Sequence, residues 1–186
     1  MICLSGRNVY HKWRVGVVIP ARNEEDFIGK VLSTIPTFVD DVVVVNDGST
    51  DSTEKVAMEY SKQEYNLELI QNNGQGVGSS IDRGHRKLME ISEKPFISVV
   101  MAGDGQMDPS DMENLIQPIV SGKADYCKGD RFLHPNNASN MPIIRKIASI
   151  ILAFFTTLAA GQRISDPQCG YTATSYKIIE SWNWDK

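Results

Sequence analysis

Asp104 and Gln106 stand two positions apart in the stretch VVMAGDGQMDP, residues 99 to 109, just after an apolar run and just before the turn pair Asp108-Pro109. A carboxylate and an amide oxygen are hard donors of the kind magnesium or manganese prefers, and a diphosphate could complete an octahedral shell around such an ion. The ordinary alternative is helix-start chemistry. Asp108 already suits the cap and Pro109 the first helical position, so Asp104 is expected to have no structural role. A second lone carboxylate, Asp47, ends an all-valine run inside VNDGSTD. There it could accept hydrogen bonds from ribose hydroxyls or a base N–H, and Gly48 would let the backbone approach a ligand closely. A plain Asn-Asp-Gly turn is the competing explanation. The run NNGQGVG, residues 72 to 78, could cradle phosphate on backbone N–H groups or be a flexible loop. It is neither a dinucleotide fingerprint, since Ser79 stands where the third glycine belongs, nor a P-loop, since no Gly-Lys-Ser/Thr follows. His11, His85 and His134 have no ligand spacing and are expected on the surface or in packing.

The elements that must carry these residues can be read from periodicity. VGVVIP (15 to 20) reads as a strand, and the apolar residues Phe27, Ile28, Val31, Leu32 and Ile35 after it recur at helical spacing, with Asn23 as the expected cap. DVVVVN (41 to 46) and then STDSTEKVAMEYSK repeat the pattern, with Asp51 and Glu54 as a capping pair. LELI (67 to 70) leads through the glycine run into VGSSIDRGHRKLMEI, and FISVVM (96 to 101) leads through the metal-donor stretch into PSDMENLIQPIV. ADYCKGD (124 to 130) is the expected fifth strand. Strands alternating with amphipathic helices over short loops predict an α/β fold, a mostly parallel sheet flanked by helices on both faces. Ligands of such sheets bind beyond the carboxyl ends of the strands. Pro20, Ala21, Arg22, Asn23 and Glu24, then Asn46 to Gly48, Asn72 to Gly78, and Asp104 with Gln106 should therefore share one edge. That polar, acidic, glycine-rich set suits a nucleotide diphosphate held with a divalent cation.

Composition bounds what such an edge could serve. With 186 residues, 41% of them apolar and 23% charged, the chain can bury the core of one ordinary domain. A net charge of −4 argues against general nucleic-acid binding, which needs a basic footprint. No acid falls between Asp130 and Asp166, whereas Arg131, Arg145, Lys146 and Arg163 do. Three cysteines, Cys3, Cys127 and Cys169, without metal or redox spacing read as reduced thiols. The opening MICLSGRNVYHKWR lacks the apolar core of a signal peptide, so a cytoplasmic location is expected.

Taken together, VVIPARNEE, VVVVNDGSTDST, NNGQGVG, VVMAGDGQMDP, KGDRF and ISDPQCGY resemble the family 2 inverting glycosyltransferases of GT-A fold, in the branch near the dolichyl-phosphate mannose and polyprenyl-phosphate glucose synthases. The resemblance runs from residue 15 to about 177. It implies a single GT-A-like catalytic domain over 1–186, with a nucleotide-sugar half at about 15–108 and an acceptor-side half at about 109–186. It also implies a UDP- or GDP-linked sugar donor, Mg2+ or Mn2+, and transfer of one sugar with inversion. By match of motif, Pro20, Ala21, Glu24 and Asp47 would surround the nucleoside, with Arg22 and Gly48 on the same edge and Gly76 near the nucleotide. Asp104 and Gln106 would hold the metal, and Arg131 would face phosphate, for which a guanidinium fork is well suited. One position departs from the pattern: Ala102 stands where the family's first aspartate precedes the glycine and glutamine, which removes one carboxylate from the donor site.

The acceptor side centres on PIIRKIASIILAFFTTLAA, residues 142 to 160. Its uncharged portion, 147 to 162, has 16 residues, short of the roughly 20 that span a bilayer. Ile147, Ile151, Phe154, Phe155 and Leu158 could form one apolar face, lying in a membrane interface or packed as a core or dimer helix. In the related synthases this segment lies against the membrane and presents a lipid phosphate to the donor, so the resemblance implies a lipid-phosphate acceptor and action at the cytoplasmic membrane face. Asp166, in SDPQCGY, is a candidate general base for a hydroxyl acceptor. A lipid phosphate, already ionised, would leave it to position the sugar or fix its loop, and a turn aspartate before proline is the bland alternative. Two rival functions are a sugar-nucleotide pyrophosphorylase and a non-catalytic nucleotide-sugar-binding domain. The first expects a glycine- and arginine-containing loop after the first strand, where this chain has ARNEEDF. By the family's usual length, a natural protein longer than these 186 residues is expected.

Overall fold

The computed structural model describes residues 10, 12–61, 64–130, 143–161 and 163–184, with the side chains of 143–147 excepted. Two compact units are distinguished: residues 1–127 with 171–186, and residues 128–170.

In the first unit, strand β1 (Arg14–Ala21) is followed by helix α1 (Ile28–Ser33), β2 (Asp41–Asn46), α2 (Thr53–Glu59), β3 (Asn66–Gln71), α3 (Val77–Ile91) and β4 (Phe96–Val100). A 3-10 turn at Pro109–Asp111, α4 (Met112–Val120) and β5 (Tyr126–Lys128) come next. The chain then passes through the second unit, whose helix is α5 (Ile143–Ala160), and ends with β6 (Thr172–Ser175) and α6 (Tyr176–Ser181). The sheet order is β3-β2-β1-β4-β6-β5. β1 runs parallel to β2 and β4, and β2 parallel to β3, while β6 lies antiparallel to β4. The expected mostly parallel sheet is thus present, with one strand that periodicity does not reveal. TATS is short, polar and far downstream of β5 in sequence, and only pairing with β4 makes it a strand.

Three local expectations are corrected. α1 begins at Ile28, not after Asn23, and has no side-chain cap among the described residues; Asn23 instead sits at φ 55° and accepts from Thr50 N at 2.8 Å. Asp51 and Glu54 are not a reciprocal pair. Asp51 closes on Thr53 N at 3.0 Å, whereas Glu54 turns to Asn46 and Gln71 at 3.2 and 2.9 Å. The fifth strand shrinks to three residues, Tyr126–Lys128. By contrast Asp108 does cap the turn before α4, accepting from Ser110 N at 2.9 Å.

All six residues of β2 are buried, which requires cover on both faces, as in a doubly flanked parallel sheet. On one face Val18, Val43, Val45, Phe96 and Val100 pack with Leu88 of α3 and Ile179 of α6. The approach of α3 is set by glycine. A Cβ on Gly84 would lie 2.2 Å from Cγ1 of buried Val18. Alanine favours a helix interior over glycine by about 1 kcal/mol, but overpacking here costs about 1–3 kcal/mol, and the rigid sheet gives Val18 no retreat. Gly84→Ala is therefore expected to lower the urea midpoint, whereas Gly78→Ala, whose added Cβ meets nothing within 4 Å, raises it.

On the same helix His85 is buried, with Nδ1 2.9 Å from Ser98 Oγ and its ring edge-on to Trp182 at 5.2 Å. Desolvation pushes its pKa down to about 4, against a small opposing effect of Asp82. A depressed histidine pKa gives stability that is complete above the unfolded value near 6.5 and is lost as pH falls towards 4. The loss should reach about 3 kcal/mol. Urea titrations at pH 7 and pH 4 should show it, and His85→Gln, which keeps an amide near Ser98, should flatten that part of the profile.

Candidate functional site

Because β1, β2, β3 and β4 are parallel neighbours, the four loops at their carboxyl ends must meet at one edge, and backbone bonds join them there. Asp47 N donates to Ala21 O at 2.9 Å, Gly103 N to Pro20 O at 3.2 Å, and Asn72 N to Asn46 O at 2.8 Å. Side chains tighten the first two loops against each other. Asn23 N donates to Ser49 Oγ at 3.0 Å, Glu24 N to Thr53 Oγ1 at 2.7 Å, and Glu25 N to Asp51 Oδ2 at 3.2 Å. Ser52 N returns a bond to Glu25 Oε2 at 2.9 Å. The backbone at Pro20 and Ala21 is therefore held by Gly103 N and Asp47 N, and that of residues 23–25 by the β2–α2 loop and Thr53 at the start of α2, a dependence that no local pattern in ARNEED records.

Glycines let the loops approach. Gly48 lies at φ 72°, and a Cβ there would sit 3.0 Å from the backbone N of Gly74. The close neighbour of Gly48 is thus the next loop, in addition to any ligand. A Cβ on Gly103 would lie 3.1 Å from that of Ala21, which seats the Asp104 loop on the end of β1. Asp47 is only 5% exposed. Its Oδ1 accepts from Asn72 Nδ2 at 2.7 Å and its Oδ2 from Gly76 N at 3.0 Å, so the carboxylate expected at the nucleoside also organises the glycine turn. Gly76, at φ 94°, is the residue from which α3 starts.

Asp104 is half-buried and, against expectation, has a structural role, because its Oδ1 accepts from Gln106 N at 3.0 Å. The turn this closes holds the two donors in fixed succession. Asp104 Oδ2 and the exposed Gln106 amide have no hydrogen bond among the described residues. The contrast is with Asp41 at the opposite end of the sheet, which is bound by Arg14, Ser92 and Asn66. Burial, then the charges of Asp104 and Asp51, raise the carboxyl pKa of Glu24 above its ordinary value, so the edge concentrates negative charge. Among the described residues no three acids, histidines or cysteines group to hold a metal. Two hard oxygens from one loop fit an ion shared with a diphosphate, as magnesium sites commonly are, rather than an ion caged by protein alone. Arg22 is exposed in the same loop as Glu24.

In the second unit α5 is the long apolar helix expected over 142–160. Ile151, Phe155 and Leu158 share one face by their spacing and are exposed, Leu158 by 72%. Beside them Ile150, Ala153, Phe154 and Thr157 line a groove of about 560 Å3 with Arg163, Ile164 and Ser165. Thr157 builds that groove by accepting from Ile164 N at 2.9 Å and donating to Ile164 O at 3.1 Å. Asp166 is buried and accepts from Gln168 N at 3.2 Å. Arg131 and the side chains of Arg145, Lys146 and Ile147 lie outside the described residues.

The model of the family described as Glycosyl transferase family 2 matches residues 16–182. A UDP-N-acetylglucosamine–dolichyl-phosphate N-acetylglucosaminyltransferase of Methanococcus voltae is 34% identical over 178 residues, covering 88% of this chain and 70% of its own. A dolichol-phosphate mannosyltransferase of Pyrococcus furiosus is 30% identical over 90% of this chain and 47% of its own. Among solved structures, glucosyl-3-phosphoglycerate synthase of Mycobacterium tuberculosis, in a complex with Mn2+, UDP-glucose and glycerol 3-phosphate, aligns with a TM-score of 0.60 at 20% identity. That alignment covers 89% of this chain and 58% of the solved one, and it bears out the GT-A fold. A family model spanning nearly the whole sequence, and a relative sharing a third of its residues across most of both chains, leave one conclusion: this chain belongs to glycosyl transferase family 2.

Proposed function

We propose that the chain transfers one sugar, with inversion, from a UDP- or GDP-linked donor to a polyprenyl or dolichyl phosphate at the cytoplasmic face of a membrane. The observation that carries this is the convergence of four strand-end loops on one acidic edge, with Asp104 Oδ2 and the Gln106 amide uncommitted among the described residues. Pro20, Ala21, Arg22, Glu24, Asp47, Gly48 and Gly76 surround the nucleotide in this reading. Asp104 and Gln106 hold a Mg2+ or Mn2+ ion, which when bound supplies Lewis-acid neutralisation of the departing diphosphate. The acceptor oxygen attacks the anomeric carbon from the face opposite the diphosphate, which gives inversion. Arg131 meets phosphate. An ionised lipid phosphate needs no general base, so Asp166 positions its loop or the sugar; it would turn to proton abstraction only with a hydroxyl acceptor.

Support for a lipid acceptor comes from the named relatives and from α5. Among the described residues no helix is long and apolar enough to cross a membrane. The exposed Ile151, Phe155 and Leu158 suit a helix lying in the interface, and the acid-free segment around it suits an anionic surface. The test is transfer from UDP-N-acetylglucosamine, UDP-glucose and GDP-mannose to dolichyl phosphate in vesicles with Mn2+. Product from one donor is the expected result. No product from any, alongside pyrophosphate exchange with a sugar phosphate and nucleoside triphosphate, would overturn the reading in favour of a nucleotidyltransferase.

A further inference from the structure

We infer that Asn72 is the positioning residue of the donor edge: its amide sets the Asp47 carboxylate in the orientation that reads the nucleoside. The inference rests on the reading of Asp47 as the nucleoside-facing carboxylate. Asn72 is fully buried, and a buried amide of this kind costs free energy unless each polar group is met. Its groups are met within one small network. Nδ2 donates to Asp47 Oδ1 at 2.7 Å and to Ser80 Oγ at 2.9 Å, with a longer approach to Gly76 O at 3.3 Å. Oδ1 accepts from Ser79 Oγ at 2.9 Å, and the backbone N donates to Asn46 O, the residue before Asp47. The amide cannot be turned round, because an ionised carboxylate only accepts and must therefore face Nδ2.

Asp47 is thereby gripped at both oxygens from one turn: Oδ1 by the Asn72 side chain, Oδ2 by Gly76 N at the start of α3. Each oxygen keeps further acceptor capacity, and the 5% of Asp47 that remains accessible is where a base N–H or ribose hydroxyl would meet it. Ser79 and Ser80, the second turn of contacts, fix Asn72 in turn. A residue that only stabilised the fold would affect every ligand of this edge alike. Asn72 touches the Asp47 side and none of the Asp104–Gln106 turn, so its loss should be felt by the nucleoside and not by the metal-bound diphosphate.

The test is calorimetry of Mn2+ with UDP, with GDP and with inorganic pyrophosphate. Asn72→Leu is expected to weaken the preferred nucleotide about 10-fold to 100-fold, the worth of a hydrogen bond to a charged group, with pyrophosphate unchanged and, in transfer assays, donor KM raised while kcat holds. The exchanged pair Asn72→Asp with Asp47→Asn restores an amide–carboxylate bond with the partners reversed. It is expected to recover thermal stability but not nucleotide affinity, because position 47 is no longer a carboxylate; Asn72→Ser, whose shorter side chain withdraws the bond to Asp47, carries the test should Asn72→Leu fail to fold. Unchanged nucleotide affinity in the single variant, or an equal loss for nucleotide and pyrophosphate, would overturn the inference, whereas recovery of nucleotide binding by the exchanged pair would refute the reading of Asp47 on which it rests. A wild type that binds pyrophosphate but neither nucleotide would overturn it as well; one that binds none of the three would instead refute the donor-site reading itself.

Discussion

Asp104→Asn will lower sugar-transfer turnover by about a thousandfold while leaving the fold and its thermal stability nearly intact. The stability half follows from the structure: among the described residues the Asp104 side chain makes one hydrogen bond, from Gln106 N to Oδ1, and an asparagine carbonyl accepts the same bond. The turnover half follows from charge. An uncharged oxygen is a poorer ligand for a hard divalent ion, and metal stabilisation of a departing diphosphate is worth several kcal/mol, with each 1.4 kcal/mol or so a factor of ten in rate. Ala102 sharpens the expectation, since no carboxylate two residues earlier can take over. The measurement is kcat across a Mn2+ titration. A variant with wild-type kcat at saturating donor would remove Asp104 from the metal role, and partial recovery at high Mn2+ would show that affinity, not geometry, was lost.

Phe155→Glu combined with Leu158→Glu will abolish sedimentation with anionic vesicles, weakening partitioning about a hundredfold or more. Each apolar side chain of this size contributes about 1.5–3 kcal/mol when taken out of water, and two such losses, with charges repelled by the surface in their place, exceed the factor-of-ten scale twice over. Both side chains are exposed and neither lines the Arg163 groove, so the fold should not suffer. Binding of the wild type should also fall with added salt, as the basic residues of this segment are screened. Undiminished sedimentation of the double variant would show that α5 is not the docking face.

The alternation of strands and helices, the limits of β2 and α3, and the four loops at the carboxyl strand ends were all legible in residue order. These are set by near-neighbour physics: side-chain period, turn residues and the Asp108-Pro109 start signal act within a few positions. The sequence also carried enough motif order for the family to be legible. Whatever is built from distant partners became visible in the folded chain alone. β6 exists because β4, far back along the chain, offers an edge, and α1 starts late because Asn23 and Glu25 commit their hydrogen bonds to the β2–α2 loop. Gly48 must be glycine because of Gly74, and Asp47 is oriented by Asn72. Register across the sheet joins residues whose sequence spacing carries no signal. For the same reason the exposure of Ile151, Phe155 and Leu158 could not be read from their apolar spacing, which would be identical in a helix buried against a core.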